Sequence, residues 1–368
     1  MKRLLFLIIV FSLFYHPVVA QQRVIDAIDK SPVSAASIFD AAGNMVGITL
    51  SDGTFTEIPE SAYPITLRCI GYEQLVIESS EDEINEMNQT VYELDEFVVT
   101  PVKRNILKQT FYIREYFSIN TQRDTVTVFI EYMADRFTPV SKDARFNSPL
   151  RILSTRSYSR YKIEDTDSVY ADAETLFPSM LSVLNLNNDQ VVAQDSFKDQ
   201  IKTDKLYEVT GKSGMSLIQK QNTQTFTTIE DVLAGKEDHS ISLWPLKLLG
   251  FNIELQQLYL THAYRVNDEG VYFPKDLIEA SFVMEADGTG KKIRKFLNTE
   301  KPVDIRSMVE LYIVDRDYFS KEEAKKEYRN RPENVKFVIP STVPPLNDVT
   351  RQMVIRANAE KSKDLRPN

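Results

Sequence analysis

Between residues 24 and 94, short stretches in which apolar and polar residues alternate are separated from one another by turn sequences. The segment from Ile65 to Cys69 shows this alternation, which is typical of a strand with one buried face. Gly43, Asn44 and Gly53 mark turns, because these residue types tolerate positive φ angles. Strands this short and this closely spaced leave no room for ordinary helices. We therefore predict a β-sandwich over residues 21–100.

Several motifs in this region occur in a recognisable order. They are Pro-Val at 32–33 with Ala-Ser-Ile at 36–38, Ser-Asp-Gly-Thr-Phe at 51–55, Cys-Ile-Gly-Tyr at 69–72, and the exit segment 93–100. In this order they resemble the carboxypeptidase regulatory-like domain. The resemblance covers about 80 residues, roughly a fifth of the chain.

The resemblance implies a seven-stranded, prealbumin-like sandwich that serves as an accessory or interaction module. It does not imply peptidase activity, because catalysis in the namesake enzymes belongs to a different domain. In Gram-negative bacteria, such a domain often precedes the plug and barrel of TonB-dependent outer-membrane receptors. The chain after Thr100 is too short for a plug and a barrel of about 22 strands with roughly ten residues each. We therefore do not expect a receptor.

The first 20 residues have the features of an export signal. Lys2 and Arg3 precede an apolar stretch over residues 4–15, and small residues end at Ala20, so cleavage is predicted before Gln21. The apolar stretch is shorter than the ~20 residues that a membrane-spanning helix needs. No cysteine stands at the cleavage site, which argues against a lipoprotein. We expect an exported protein of the periplasm or outer membrane, with no transmembrane segment in the mature chain.

The net charge limits the classes of partner, and the cysteine content limits the possible disulfides. Loss of Lys2 and Arg3 takes the net charge from −9 to −11, which disfavours nucleic acid as a partner. Cys69 is the only cysteine, so no internal disulfide can form. It shares a face with Ile65 and Leu67, and we predict that its thiol is buried in the sandwich core.

The rest of the chain resembles no family that we recognise. We predict a linker over residues 101–110 and an α+β domain on an antiparallel sheet over 111–340. Residues 120–124 suit a hairpin turn between two β-branched and aromatic stretches. Helices are predicted over 176–186 and 228–234. Further strands are predicted over 255–266, 278–284, 292–296 and 307–314.

The C-terminal part shows helix-capping patterns. Ser320 and Glu323 fit a capping box for a helix over 321–328. Residues 341–368 form a Pro-rich segment and a last helix, which Asn347 or Asp348 is placed to cap. The fold class expected for the whole chain is thus mainly β or α+β.

No catalytic, cofactor-binding or metal-binding residue is predicted. Only His239 and His262 follow the leader, and neither belongs to a zinc-peptidase motif. No Gly-x-Ser-x-Gly sequence marks a nucleophilic serine. Gly211 begins a Gly-Lys-Ser triplet, but Leu206 replaces the first glycine of a phosphate-binding loop. The acidic residues between 165 and 174 lack the glycine of a calcium loop.

Aromatic residues are numerous in the predicted second domain, residues 111–340, and could line a ligand-binding site there. The candidate ligand-lining residues are Tyr116, Tyr132, Tyr259, His262 and Tyr264.

Three functions stay open at this point. The first is a non-catalytic, exported cell-envelope protein that docks on or scaffolds an envelope partner. The second is a carrier for a hydrophobic, lipid or glycan ligand. The third is a hydrolase with an unrecognised site, for which His239 or His262 would have to lie beside an acidic group in a cleft.

Overall fold

The computed structural model is mainly β, with 52% strand and 13% helix. This composition and its antiparallel sheets confirm the expected fold class. The residues that the structure describes are 21–92, 104–121, 125–140, 146, 148–162, 168–171, 191–192, 205–207, 216–234, 250, 252–297, 299–330, 332 and 335–364.

Residues 21–92 form a small two-sheet body, which we call the N-terminal unit. Its strands are β1 (Arg23–Asp26), β2 (Ser37–Phe39), β3 (Met45–Ile48), β4 (Ile65–Arg68), β5 (Leu75–Ile77) and β6 (Ile84–Met87). One sheet pairs β1 with β6, and the other has the order β3-β2-β4-β5.

The two sheets of the N-terminal unit share one apolar core. Val24 and Met87 enter it from one sheet, and Ile38 and Leu67 enter it from the other. Cys69 belongs to the same core, which confirms its predicted burial. The predicted seventh strand would begin at Val91, which lies outside any strand, and it runs on into residues 93–94, which lie outside the described residues. The seven-stranded arrangement stays a prediction.

Ten of the described strands form one large antiparallel sheet with the order β10-β9-β8-β7-β18-β17-β15-β14-β13-β12. These strands are β7 (Ile106–Asn120), β8 (Thr125–Pro139), β9 (Arg151–Lys162), β10 (Val169–Ala171), β12 (Lys205–Tyr207), β13 (Ser216–Gln221), β14 (Thr225–Asp231), β15 (Asn252–Arg265), β17 (Leu277–Thr289) and β18 (Val303–Phe319). A separate pair joins β11 (Val191–Val192) to β16 (Val271–Tyr272).

The hairpin between β7 and β8 agrees with the predicted turn at 120–124, since one strand ends at Asn120 and the next begins at Thr125. Strand β7 begins at Ile106 and therefore already occupies part of the predicted linker 101–110. It pairs with β18 as well as with β8, so the first long strand lies beside the last.

Both faces of the large sheet are covered in its middle. Side chains alternate between the faces, as in any strand. Phe111 and Ile113 of β7 belong to an apolar cluster on what we call the far face. Tyr116 lies on the opposite face, the unit face, where it packs in a cluster with residues of the N-terminal unit. Charged residues on the unit face therefore become buried when the unit packs on it.

The described residues contain three α-helices, α1 (Lys291–Leu297), α2 (Lys321–Arg329) and α3 (Asp348–Asp364), and two short 3-10 helices, Glu60–Ala62 and Pro274–Asp276. The capping box of Ser320 and Glu323 at the start of α2 is confirmed. At the start of α3, Asn347 Oδ1 accepts a hydrogen bond of 2.7 Å from the Thr350 amide, which confirms the predicted cap. Among the described residues, no helix is long and apolar enough to cross a membrane.

Two predicted elements were wrong. Residues 292–296 belong to α1 rather than to a strand, because Gly290 (φ +118°) ends β17 and Ile293 and Leu297 then pack one helical turn apart on the far-face cluster. Residues 228–234 were expected to be helical, but β14 covers 225–231, where Thr228 and Ile229 are β-branched and pair with β15. The predicted helix 176–186 lies outside the described residues.

Candidate functional site

The N-terminal unit packs on the unit face of the large sheet through a continuous buried contact, which we call the seam. Phe39 of the unit meets Tyr116 of β7 edge to face, with 5.4 Å between ring centroids. Met45 lies in the same apolar cluster as Met308 of β18, and its amide donates a 3.3 Å hydrogen bond to the Ser118 hydroxyl. Helix α3 extends the seam with Met353 and Ala357, which belong to the same cluster.

A buried ion pair crosses the seam. Arg68 of β4 donates from Nη2 to Glu310 Oε2 and from Nη1 to the Tyr116 hydroxyl, both at 2.5 Å. Only 3% of the Arg68 side chain and 2% of the Glu310 side chain are exposed. Burial is the largest influence and disfavours the charged guanidinium, but the Glu310 carboxylate together with Tyr116 and Tyr312 outweighs it and raises the pKa of Arg68. Arg68 therefore stays charged inside the protein, and its bonds to Glu310 and Tyr116 fix the orientation of the unit on the sheet.

A second polar contact ties the unit to β17. Glu279 Oε1 accepts a 2.9 Å hydrogen bond from the Gly71 amide and a short one from the Tyr92 hydroxyl. Burial raises the pKa of Glu279 to about 7, with a smaller contribution from Glu310, although both hydrogen bonds act in the opposite direction. Glu279 therefore changes its charge near neutral pH while it is enclosed in the seam.

Four charged residues on the unit face lie side by side on four neighbouring strands, in a line that we call the row. The register places Glu310 of β18 opposite Arg114 of β7, Arg114 opposite Glu131 of β8, and Glu131 opposite Arg156 of β9. Directly opposed residues of unlike charge stabilise a sheet. Tyr112 links two members of the row, because its hydroxyl accepts a 2.9 Å hydrogen bond from Arg114 Nε and donates one to Glu131.

Residues 335–344, which lead into the Pro-rich segment, cover the outer part of this row. Arg114 Nη1 donates to the Pro344 carbonyl at 2.6 Å, and the Arg156 guanidinium lies 4.0 Å from the centroid of the Phe337 ring. Val343 joins a small buried cluster with Tyr112. The segment therefore contributes to the burial of Arg114, whereas Arg156 at the end of the row stays exposed.

At one end of the seam, the unit and strands β13 and β14 line a small open cleft. Asp26 lies in its wall with no exposed surface. Burial opposes the ionised form of Asp26, but hydrogen bonds outweigh it and hold the pKa below the usual value; the strongest comes from Gln89 at 2.6 Å. Lys220 reaches across from β13 and donates to the Ser31 hydroxyl at 2.6 Å and to the Pro32 carbonyl at 2.8 Å.

The five candidate ligand-lining residues divide between the two faces of the sheet. Tyr116 and Tyr259 belong to the buried cluster of the seam. Tyr132 and Tyr264 belong to the far-face cluster, and His262 shares their face because it pairs with Ala280 of that cluster. Residues on opposite faces of a sheet cannot line one cavity. The structure therefore does not bring the five together.

The residues considered for catalysis have the following positions. His262 is partly buried in β15, with its ring 6.3 Å from the Tyr264 ring between centroids. His239, the Gly-Lys-Ser triplet at 211–213 and the acidic residues at 165–174 lie outside the described residues. Burial raises the pKa of the Cys69 thiol to about 12, which makes it a poor nucleophile. Within the described ranges, no group of three or more His, Cys, Asp or Glu side chains is placed to hold a metal ion.

The buried charges of the seam were missed at the level of sequence, although a signal for them exists. Arg68, Glu279 and Glu310 each interrupt a stretch of apolar or small residues within a strand. A lone charge in such a stretch indicates a paired, buried position, because an unpaired one is too costly to bury.

No protein-family model matches the chain, and no curated protein matches it.

Proposed function

We propose that this chain is an exported, non-catalytic cell-envelope protein that docks on a protein partner of the periplasm or outer membrane. The leader pattern of residues 1–20 supports export. The motif resemblance of residues 21–100 supports an interaction role for the N-terminal unit.

The observation that carries the docking proposal is the outward surface of the N-terminal unit. Ile84 of β6 is 60% exposed, whereas its neighbour Asn85 faces inward and is buried. Ile28 follows β1 and Val91 follows β6, beyond the end of the strand pair opposite to Ile84, and they are 73% and 76% exposed. We call these three residues the outer patch. Ile84 and Asn85 reverse the usual pattern of a strand, which Glu86 and Met87 follow, and the exposed isoleucine favours contact with a partner.

The seam fixes the orientation of this docking surface relative to the large sheet. Arg68 and Glu279 both bond across the seam, so the unit is fixed on the large sheet rather than tethered to it by a linker. A partner bound at the outer patch is therefore held at a fixed orientation to the sheet. This arrangement suits a scaffold that presents the large sheet at the envelope.

Affinity capture of the tagged mature protein from detergent-solubilised envelopes tests the proposal. Ile84→Asn should reduce recovery of the partner by roughly tenfold, because the isoleucine loses the apolar burial that it gains in the complex. Ile355→Asn is the matched control, since Ile355 is 53% exposed but lies on α3. Equal recovery with both variants, or no stoichiometric partner at all, would contradict docking through the outer patch.

A further inference from the structure

The negative charge of the chain is concentrated in the N-terminal unit. Residues 21–92 contain 12 acidic and three basic residues, a net charge of −9, whereas residues 93–368 contain 41 acidic and 39 basic residues, a net charge of −2. Negative charge that serves solubility alone needs no such concentration, and repulsion between like charges destabilises a small unit that carries many of them. The acidic surface of the unit therefore indicates an interaction of its own.

Four of these acidic residues lie in one loop beside Ile84, and we call them the acidic loop. They are Glu78, Glu81, Asp82 and Glu83, and all four are exposed. The loop is held against the start of β1, because its carbonyl oxygens at 82 and 83 accept hydrogen bonds from the Gln22 side chain at 3.0 Å and from the Arg23 amide at 2.8 Å. Ile84 begins β6 directly after the loop and is 60% exposed. An exposed apolar side chain and several exposed carboxylates therefore share one end of the unit.

The acidic loop forms no ion pair with a basic side chain of the described residues. The ion pairs of the unit in this part of the chain join Lys30 to Glu86 and Arg68 to Glu310. The remaining basic residue of the unit, Arg23, donates from Nε to a backbone carbonyl oxygen at 2.8 Å. The carboxylates of the acidic loop are therefore available to basic side chains of another molecule.

The acidic and apolar features at this end of the unit together favour a protein as their counterpart. Anionic lipid headgroups attract lysine and arginine clusters and repel carboxylates. A metal ion would use the carboxylates alone and would leave Ile84 in water. Protein interfaces, in contrast, combine a buried apolar centre with a polar rim, and their two surfaces carry complementary charges.

We propose that the partner that covers Ile84 is a protein with a basic surface, whose lysine and arginine side chains face the acidic loop. This inference rests on the docking function proposed above and adds the chemistry of the partner. Unlike charges on two surfaces accelerate their association, and this effect weakens as the salt concentration rises. Capture of the partner should therefore depend on salt and on the charge of the acidic loop.

Affinity capture of the full mature protein from detergent-solubilised envelopes, at about 50 mM and about 500 mM sodium chloride, tests this inference. The variant Glu81→Gln, Asp82→Asn, Glu83→Gln removes three negative charges from the acidic loop. At the lower salt concentration, it should recover roughly tenfold less partner than the wild type. At the higher salt concentration, the difference should shrink to less than about twofold, because salt screens exposed charges.

The matched control removes three charges from exposed residues outside the unit, by the substitutions Glu254→Gln, Asp268→Asn and Glu269→Gln. It should recover as much partner as the wild type at both salt concentrations. Circular dichroism of each variant checks that it is folded.

Two results would overturn the inference, and they differ in what they say about docking. Equal recovery by the acidic-loop variant and the wild type at low salt, with recovery still reduced by Ile84→Asn, would refute a basic partner surface and leave docking intact. The absence of any stoichiometric partner with the wild type would refute docking itself and this inference with it.

Discussion

Replacement of Glu279 by glutamine should make the protein more stable at alkaline pH and leave its stability at acid pH nearly unchanged. Glu279 lies on β17 inside the seam, where its Oε1 accepts the Gly71 amide and the Tyr92 hydroxyl. A glutamine carbonyl accepts the same two hydrogen bonds. Glu279→Gln is therefore a permanent mimic of the protonated carboxyl.

The expected magnitude follows from the pKa of Glu279. Burial raises this pKa from 4.5 to about 7 in the folded protein. Because the folded state holds the proton more tightly than the unfolded state, the stabilisation is complete below pH 4.5 and is lost as the pH rises through 7. A shift of this size corresponds to about 3 kcal/mol of unfolding free energy. Above pH 7, an extra negative charge then lies in the seam near Glu310.

Urea denaturation followed by far-ultraviolet circular dichroism, at several values between pH 5 and pH 8.5, measures the effect. The free-energy difference between Glu279→Gln and the wild type should grow to about 3 kcal/mol over this interval. Glu254→Gln is the matched control, because Glu254 is exposed on the neighbouring strand β15, and its pH dependence should follow the wild type. Parallel pH curves for Glu279→Gln and the wild type would refute the assignment of a buried, protonated carboxyl.

Three further substitutions test the packing at neutral pH by the same denaturation assay. Arg68→Leu should lower the free energy of unfolding by about 3–5 kcal/mol, because it leaves the Glu310 carboxylate buried without its partner. Adding Glu310→Leu in the same chain should restore much of that loss. No recovery in the double variant would argue against the pair. Gly53→Ala should lower the free energy of unfolding by about 2 kcal/mol, since Gly53 has φ +79° and an added Cβ would lie 2.4 Å from the Val24 carbonyl oxygen. An unchanged midpoint of urea denaturation would show that the turn relaxes freely. Asn347→Ala should cost about 1 kcal/mol through loss of the α3 cap, whereas Asn347→Asp should cost much less.

Much of the local structure could be predicted because it depends on local chemistry. The capping box of Ser320 and Glu323 and the cap at Asn347 follow from which side chains can accept helix amide protons. The β7–β8 hairpin follows from two β-branched and aromatic stretches with a polar segment between them. The misassigned helix α1 shows the limit of such reasoning. A stretch as short as 292–296 fits both the hydrophobic period of a helix and that of a strand.

The candidate site could not be predicted, because it depends on which strands become neighbours. Glu310 and Arg68 are separated by 242 positions in the sequence, and only the packing of the N-terminal unit on β18 brings them to 2.5 Å. The aromatic candidates do not lie together, for a related reason. Tyr116 and Tyr132 lie on the paired strands β7 and β8, three register positions apart, and therefore occupy opposite faces.

Site-specific photocrosslinking in living cells tests the central claim, docking through the outer patch, most directly. A photoreactive phenylalanine analogue placed at position 84 should give a light-dependent adduct with one envelope protein, because Ile84 is exposed on the outward side of the N-terminal unit. The same analogue at position 355 on α3 should give no such adduct. An adduct that forms at position 355 but not at position 84 would contradict the account.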